Sequence, residues 1–160
     1  MTNNIQKYVA GFLFFDHVEK DIWEYETRTK KVLLVRKNKP AWQKGKLNGI
    51  GGKIEEGETP DDAMHREFFE ETGIEQKFDW KLFVVLKNEI VGYELYFYKT
   101  SLNDRPNLKQ YKNDIGEILE VHSVEDLKKR DKIKNLEWLI PLAFDEDLAN
   151  PIIINDIGNH

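Results

Sequence analysis

Residues 52–74 read GKIEEGETPDDAMHREFFEETGI, a stretch in which glycines lie near both ends of a strongly acidic segment. Its second half carries the signals of a helix, because Thr59 is a good N-cap and Pro60 suits the first helical position. Gly73 stands where a left-handed glycine commonly ends a helix. These signals predict a helix that begins at Pro60 and ends before Gly73.

Three carboxylates of this helix are spaced so that they share one face. Glu67, Glu70 and Glu71 fall at positions i, i+3 and i+4, where like charges repel each other, and the helix contains no lysine. Hard divalent cations take oxygen ligands and commonly combine carboxylates with substrate phosphates. The spacing therefore indicates a bound cation, Mg²⁺ or Mn²⁺, and solvated surface acids are the simpler alternative.

The whole stretch resembles the Nudix box, G-x5-E-x7-R-E-U-x-E-E-x-G-U, in which U is a bulky aliphatic or aromatic residue. Phe68 and Ile74 fill the two U positions, and every other defined position is matched. The run GGKIEEGETPDDA, which begins at Gly51, is also similar to MutT-type nucleotide hydrolases. The resemblance implies an α/β/α sandwich with a mixed, curved β-sheet, the box helix on one side and the C-terminal helix on the other.

The resemblance also implies roles for the box residues. The cation-binding positions of the family are filled here by Gly51, through its carbonyl, and by Glu67, Glu70 and Glu71. Arg66 and Glu58 would form an ion pair that orients the region of Glu67. Surface charges without a role are the alternative for this pair.

A general base is needed to take a proton from the attacking water. One of the box glutamates could do so, but in the resembling family a carboxylate from a later loop often contributes. Glu117 is the candidate here because it precedes a short predicted strand, with Glu120 and Asp114 as rivals. An ordinary exposed acid is the competing interpretation of Glu117.

Basic residues flank the glycine-rich loop that leads into the box. Lys53 matches a lysine of MutT-type members and would approach phosphate oxygens. Arg36 opens the basic run RKNK, and Lys44 and Lys46 follow it. Positive charge beside a glycine-rich loop suits a triphosphate, although a solvated basic loop has the same composition.

The string NGIGGK from Asn48 resembles the hydrolases of oxidised purine nucleoside triphosphates, in which the matching asparagine contacts the purine. Turn formation is the alternative role, since Asn-Gly is a strong turn pair. The string WLIPL from Trp138 is similar to the segment that opens the last helix of that group, where Lys134 and Asn135 replace an acidic pair. Asn135 is kept as a substrate-binding candidate, and Trp138 or Trp42 would stack on a base or pack in the core.

Composition bounds the remaining possibilities. The 160 residues suit a single domain, 1–160, with a sizeable core. There is no cysteine for a disulfide, no signal peptide pattern and no run of eighteen apolar residues, so we expect a cytoplasmic protein. The net charge of −5 argues against a broad nucleic-acid-binding face. The expected partner is a nucleotide substrate, and the protein would be a monomer or a homodimer.

Hydrophobic patterning predicts the other elements. We expect strands at 8–15, 31–36, 78–86, 93–100 and 117–121, helices at 123–129 and 135–148, a hairpin or loop at 16–30, and a loop at 40–52. The apolar segment 151–154 would dock on the domain or on a second subunit.

The function implied by the resemblance is Mg²⁺-dependent pyrophosphohydrolysis of a (deoxy)nucleoside triphosphate, oxidised purine forms included, to the monophosphate and pyrophosphate. The alternatives within the family are hydrolysis of ADP-ribose, nucleotide sugars or dinucleoside polyphosphates. An alternative of another class is a catalytically inactive Nudix-fold module that only binds nucleotide. The complete set of box glutamates favours the enzyme.

Overall fold

The structure is a computed structural model that describes residues 4–108 and 115–157. Its strands and helices are, in chain order, β1 (Gln6–Lys20), β2 (Glu26–Arg36), β3 (Leu47–Asn48), β4 (Ile50–Lys53), α1 (Pro60–Thr72), β5 (Lys81–Asn88), β6 (Tyr93–Leu102), β7 (Ile118–Ser123), α2 (Leu136–Ala143) and β8 (Ile152–Asn155). The described residues also form two short 3₁₀ turns, at Ala41–Gln43 and Glu125–Lys129. The described chain divides into two compact units, one of residues 4–11, 50–100 and 143–157 and the other of residues 12–49, 101–108 and 115–142.

The first unit contains α1 and the strands that support it. Strand β4 pairs antiparallel with the start of β1, so that Val9 lies opposite Gly52 and Gly11 opposite Ile50. Strands β5 and β6 form an antiparallel hairpin, and β8 adds to β5 in parallel. Helix α1 lies against β4, which brings the glycine-rich strand next to the acidic helix.

The helix predicted from Pro60 to the residue before Gly73 is confirmed. The Thr59 hydroxyl accepts a hydrogen bond from the backbone N–H of Asp62 at 3.1 Å, which satisfies one of the first free donors of the helix. Gly73 adopts a left-handed conformation with φ of 67°, and its N–H donates to the carbonyl of Phe69 at 2.8 Å. Local signals alone therefore determine both ends of α1.

Helix α1 is held in place by aromatic packing and by one hydrogen bond. Its buried residues are Ala63, Met64, Phe68 and Thr72. The Phe68 ring packs edge-on against Phe78 and Trp80, with centroids 4.9 and 5.2 Å apart. The buried hydroxyl of Tyr98 donates to the carboxylate of Asp61, which ties the first turn of α1 to β6.

Strand β2 is the centre of the second unit. It pairs antiparallel with β1, where Leu13 lies opposite Leu33, and with β7, where Leu33 lies opposite Val121. The short strand β3 pairs with its last two residues. Residues 32–35 are almost completely buried, as expected for the apolar run KVLLVR in a strand with a neighbour on each edge.

Of the two segments for which the sequence suggested a loop, one forms a hairpin and the other is partly strand. The polar segment 16–30 is a hairpin whose arms are the ends of β1 and β2, one of the two predicted outcomes. The loop predicted at 40–52 is wrong, because this segment contains a 3₁₀ turn, β3 and the start of β4. Glycines disfavour strands intrinsically, and here the antiparallel pairing of β4 with β1 overrides that preference.

The two helices predicted near the end of the chain are shorter than expected. Ser123 ends β7 instead of capping a helix, and residues 125–129 form a 3₁₀ turn without a side-chain cap. The last helix ends at Ala143 instead of Leu148, two residues after Pro141. Proline removes a helical hydrogen bond and crowds the preceding turn, while the Lys99 ammonium satisfies the carbonyl of Ala143 at 2.8 Å.

The fold class predicted from the sequence is confirmed as α/β with a mixed, curved and unclosed sheet. The sheet is mixed because β5 and β8 are parallel while the other named pairs are antiparallel. The apolar segment 151–154 docks on its own chain through β8. Among residues 4–108 and 115–157, no helix has the length and apolar character needed to cross a bilayer.

Candidate active site

The three glutamates that share one face of α1 differ in burial. Glu67 follows Ala63 by one turn, and its side chain is only 13% exposed. Glu71 is half-buried, whereas Glu70 is 56% exposed. The interpretation of these carboxylates as solvated surface acids therefore fails for Glu67, which has lost most of its water.

Arg66 connects the acidic residues to the loop before the helix. Its Nε and Nη2 donate to the two carboxylate oxygens of Glu58 at 2.7 and 2.8 Å, so the predicted ion pair is present as a two-pronged contact. Nη2 also donates to the carbonyl of Lys53 at 3.0 Å. Nη1 donates to Glu67 at 2.8 Å and to Glu70 at 3.2 Å, a contact that the motif did not predict.

The pKa values of the residues that Arg66 joins are shifted in different directions. The hydrogen bond from Arg66 lowers the pKa of Glu58 to about 2, and the same contact raises the pKa of Arg66. Burial raises the pKa of Glu67, and the negative charge of Glu70 adds to that rise, while Arg66 opposes it. Glu67 is thus a desolvated carboxylate that gains from any additional positive charge.

The glycines at the start of the box permit a close approach of backbone and side chain. A Cβ atom on Gly52 would lie 2.5 Å from Oε1 of Glu67, so the carboxylate lies directly against the Gly52 backbone. A Cβ atom on Gly51 would lie 1.9 Å from the carbonyl oxygen of Val9 on the paired strand. Only glycine fits at either position without displacing its neighbours.

The donor set of α1 fits a hard divalent cation in its chemistry. It consists of carboxylate oxygens, one of them desolvated and cradled against Gly52. Within residues 4–108 and 115–157, no three acidic, histidine or cysteine side chains already converge as a ready-made cation site. The positive charge beside Glu67 and Glu70 comes from Arg66. The cation-binding roles of Gly51, Glu67, Glu70 and Glu71 stay predictions.

The remaining box candidate, Lys53, lies at the end of β4. Its side chain is exposed and its carbonyl accepts the hydrogen bond from Arg66. The first unit contains the box candidates Gly51, Lys53, Glu58, Arg66, Glu67, Glu70 and Glu71.

In the second unit, Glu117 is not the exposed acid of the competing interpretation. Its side chain is 1% exposed, and the Lys37 ammonium lies 2.8 Å from one carboxylate oxygen and 3.1 Å from the other. The backbone N–H of Asn38 donates to the same carboxylate at 3.4 Å. To act as a base, this carboxylate would have to break its contact with Lys37.

The rival base candidate Glu120 is also neutralised. Arg36 donates to both of its oxygens, and His122 lies 3.0 Å away through Nε2. The hydrogen bond from Arg36 is the main cause of a lowered pKa for Glu120. The third candidate, Asp114, lies outside the described residues.

The same contact changes the interpretation of the basic run. Arg36 donates from Nη1 to the carbonyl of Gly45 at 2.7 Å in addition to its contact with Glu120. Its charge is therefore engaged within the protein and contributes little to a general positive field. Sequence patterning gave no signal for these pairs, because the partners are about eighty residues apart in the chain.

The candidate base-reading residues have partners within the second unit. The Asn48 side chain accepts from the N–H of Gly49 at 2.8 Å and donates to Oε1 of Gln43 at 3.1 Å. The turn-type contact is therefore present, and each end of the amide retains capacity for one more hydrogen bond. At the start of α2, the Trp138 indole N–H donates to Asn135 at 3.4 Å.

Trp42, the other stacking candidate, is 64% exposed on the 3₁₀ turn before β3. The alternative that Trp42 packs in the core is therefore wrong. Trp138, by contrast, is half-buried. The second unit thus holds the candidates Arg36, Asn48, Glu117, Asn135 and Trp138. The base-reading and substrate-binding roles of these residues stay predictions.

Comparison with known proteins identifies the family. A family model for the NUDIX domain matches residues 21–141, which is most of the chain. The chain therefore belongs to the NUDIX domain family, and it is an enzyme of the nucleotide pyrophosphohydrolase class. Nudix hydrolases generally use divalent metals, in agreement with the donor chemistry of α1.

Solved structures share the fold at low sequence identity. The NUDIX domain of Shewanella oneidensis NrtR, solved in complex with ADP ribose, is 17% identical, with a TM-score of 0.67 over 89% of this chain and 88% of that chain. The MutT protein of Bacillus halodurans is 19% identical, with a TM-score of 0.59 over 94% and 87%. The Ap4A hydrolase of C. elegans is 16% identical, with a TM-score of 0.54 over 86% and 95%.

Proposed function

We propose that this protein is a Mg²⁺-dependent pyrophosphohydrolase that cleaves nucleoside triphosphates, deoxy and oxidised purine forms included, to the monophosphate and pyrophosphate. One observation carries the proposal: the desolvated Glu67 lies against Gly52 on an acidic helix whose Arg66 is anchored by Glu58. The proposal treats residues 1–160 as one functional domain.

In this proposal Glu67, Glu70, Glu71 and the carbonyl of Gly51 hold the cation. A bound divalent cation neutralises phosphate charge and lowers the pKa of a coordinated water. Arg66 and Glu58 hold the start of α1 next to the end of β4, because the guanidinium donates hydrogen bonds to both the Glu58 carboxylate and the carbonyl of Lys53. The exposed Lys53 side chain is available to phosphate oxygens.

The geometry favours a proton acceptor on α1 over Glu117 or Glu120. Glu117 and Glu120 are engaged by Lys37 and Arg36, and each would have to leave a cation before accepting a proton. Glu70 also contacts a cation, the Arg66 guanidinium at 3.2 Å, but its side chain is 56% exposed against 1% for Glu117 and 26% for Glu120, so water reaches it more directly. We therefore place the base among the box glutamates and keep Glu117 as the alternative.

The substrate choice rests on the second unit. Asn48 retains one donor and one acceptor position, which is the capacity needed to read one edge of a base. At the start of α2, the Trp138 indole donates a hydrogen bond to the Asn135 side chain. These features support a substrate that carries a base, and the choice of a purine triphosphate rests on the resemblance of NGIGGK to the hydrolases of oxidised purine nucleoside triphosphates.

The test is product analysis with a panel of nucleotides in the presence of Mg²⁺. The panel contains purine, oxidised purine and pyrimidine triphosphates, together with ADP-ribose, a nucleotide sugar and a dinucleoside polyphosphate. Phosphorus NMR should show monophosphate and pyrophosphate from a purine triphosphate. Orthophosphate as the first product would overturn the proposed reaction, and turnover restricted to the other members of the panel would overturn the substrate.

A further inference from the structure

The guanidinium group of Arg66 contacts different partners on its two sides. On one side, Nε and Nη2 contact Glu58 at 2.7 and 2.8 Å, and Nη2 contacts the carbonyl of Lys53 at 3.0 Å. Glu58 is itself held by the backbone N–H of Glu55 at 3.1 Å. This side of the guanidinium is therefore anchored to the segment between β4 and α1.

The other side faces the acidic helix. Nη1 lies 2.8 Å from Glu67 and 3.2 Å from Glu70, two carboxylates on adjacent turns of α1. Like charges at this spacing repel, and water compensates Glu67 little because its side chain is only 13% exposed. A charge-assisted contact to both carboxylates supplies the positive charge that the pair needs.

We propose that Nη1 of Arg66 is the built-in counter-ion of Glu67 and Glu70, and that a divalent cation binds these carboxylates in exchange for it. The inference rests on the proposed function, which assigns both carboxylates to the cation. The Glu58 side of Arg66 stays in place during the exchange, because its contacts involve neither Glu67 nor Glu70.

The exchange has a consequence that a supporting role does not share. If Arg66 only held Glu67 in position, its removal would weaken cation binding. If Nη1 must leave before the cation can bind, removal of Arg66 strengthens cation binding and destabilises the cation-free protein. The two roles of Arg66 therefore differ in the sign of one measurable change.

The first experiment follows the wild-type side chain directly. The protein is labelled with ¹⁵N and titrated with Mg²⁺, and the Arg66 N–H signals are assigned from their loss in Arg66→Lys. The Nη1 signal should shift and saturate with Mg²⁺, while the Nη2 and Nε–H signals held by Glu58 stay unchanged. An Nη1 signal that does not respond while calorimetry shows saturation, or a protein that binds no Mg²⁺, would overturn the exchange.

The second experiment measures Mn²⁺ affinity by the electron paramagnetic resonance of free Mn²⁺. Arg66→Met should bind Mn²⁺ roughly fivefold or more tightly than the control Lys53→Met, because two charge-assisted hydrogen bonds no longer oppose binding. Lys53→Met removes a nearby positive charge but leaves Nη1 in place, so it measures the general electrostatic effect. Equal or weaker binding by Arg66→Met contradicts the exchange.

These measurements are independent of turnover. If the protein forms pyrophosphate but its Nη1 signal does not respond to Mg²⁺, the exchange is rejected and the proposed function stands. If the Nη1 signal shifts with Mg²⁺ but no pyrophosphate forms, the proposed reaction is rejected and the exchange stands. If Arg66→Met does not fold, the titration of the wild-type protein decides alone.

Discussion

Replacing Gly52 by alanine tests the close approach between β4 and the acidic helix. The new methyl carbon would lie 2.5 Å from Oε1, 2.6 Å from Cδ and 2.7 Å from Oε2 of Glu67. Non-bonded carbon atoms are normally ~3.5–4.0 Å apart, so the carboxylate must move by roughly 1 Å. It cannot do so without disturbing its 2.8 Å contact with Arg66.

The size of the effect follows from that displacement. A shift of about 1 Å in a positioned group costs on the order of 100-fold in rate, so kcat for pyrophosphate release should fall by about that factor. Overpacking of this kind destabilises by about 1–3 kcal/mol, measured as the loss of unfolding free energy in urea. The substitution introduces no backbone strain, since Gly52 is not among the glycines with positive φ.

The control is the double variant Gly52→Ala with Glu67→Asp. Aspartate is one methylene shorter and leaves room for the new methyl group, so the two losses of unfolding free energy should be less than additive. A kcat for Gly52→Ala within about threefold of the wild type, which is less than 1 kcal/mol in activation free energy, would refute the reasoning. Strict additivity of the two destabilisations would do the same.

Three further changes test other parts of the site. Glu71→Gln should lower turnover by about 100-fold or more, because cation charge stabilisation is worth several kcal/mol, while circular dichroism shows a folded protein; unchanged turnover at saturating Mg²⁺ removes Glu71 from the cation site. Asn48→Ala should raise KM for a purine triphosphate about fivefold, the equivalent of one hydrogen bond, and should raise it less for a pyrimidine triphosphate; equal effects leave Asn48 only its turn contact. The pKa of Glu58 is lowered from 4.5 to about 2 by Arg66, so the stability from this pair is complete above pH 4.5 and is lost as the pH falls toward 2; the unfolding free energy of Glu58→Gln should fall less steeply over this range, and parallel curves would contradict the contribution of the pair.

Sequence reasoning succeeded where the determinants are local. The limits of α1 follow from Thr59, Pro60 and Gly73, whose effects act within one turn of the helix ends. The spacing of Glu67, Glu70 and Glu71 requires only the helical period, and the ion pair of Arg66 with Glu58 is part of the same motif. The family followed from these positions as well, and the match to residues 21–141 confirms it.

Sequence reasoning failed where long-range pairing competes with local preference. The glycine-rich segment before the box has the composition of a loop, but pairing with β1 and β2 makes part of it strand. The last helix has an apolar pattern to Leu148, but Pro141 and the Lys99 contact with Ala143 coincide with its earlier end. Such pairings depend on partners that local propensity does not contain.

The sequence by itself determined the acidic helix, its caps and the residues of the box, because all of these depend on spacing within 23 consecutive residues. The tertiary structure alone decided that Glu67 loses its water against Gly52, and that Arg66 is anchored to the carbonyl of Lys53 on β4. It also decided that Glu117 is buried against Lys37. The physical reason is that burial and ion pairing depend on which side chains meet in space, and residues eighty positions apart meet only after the sheet has formed.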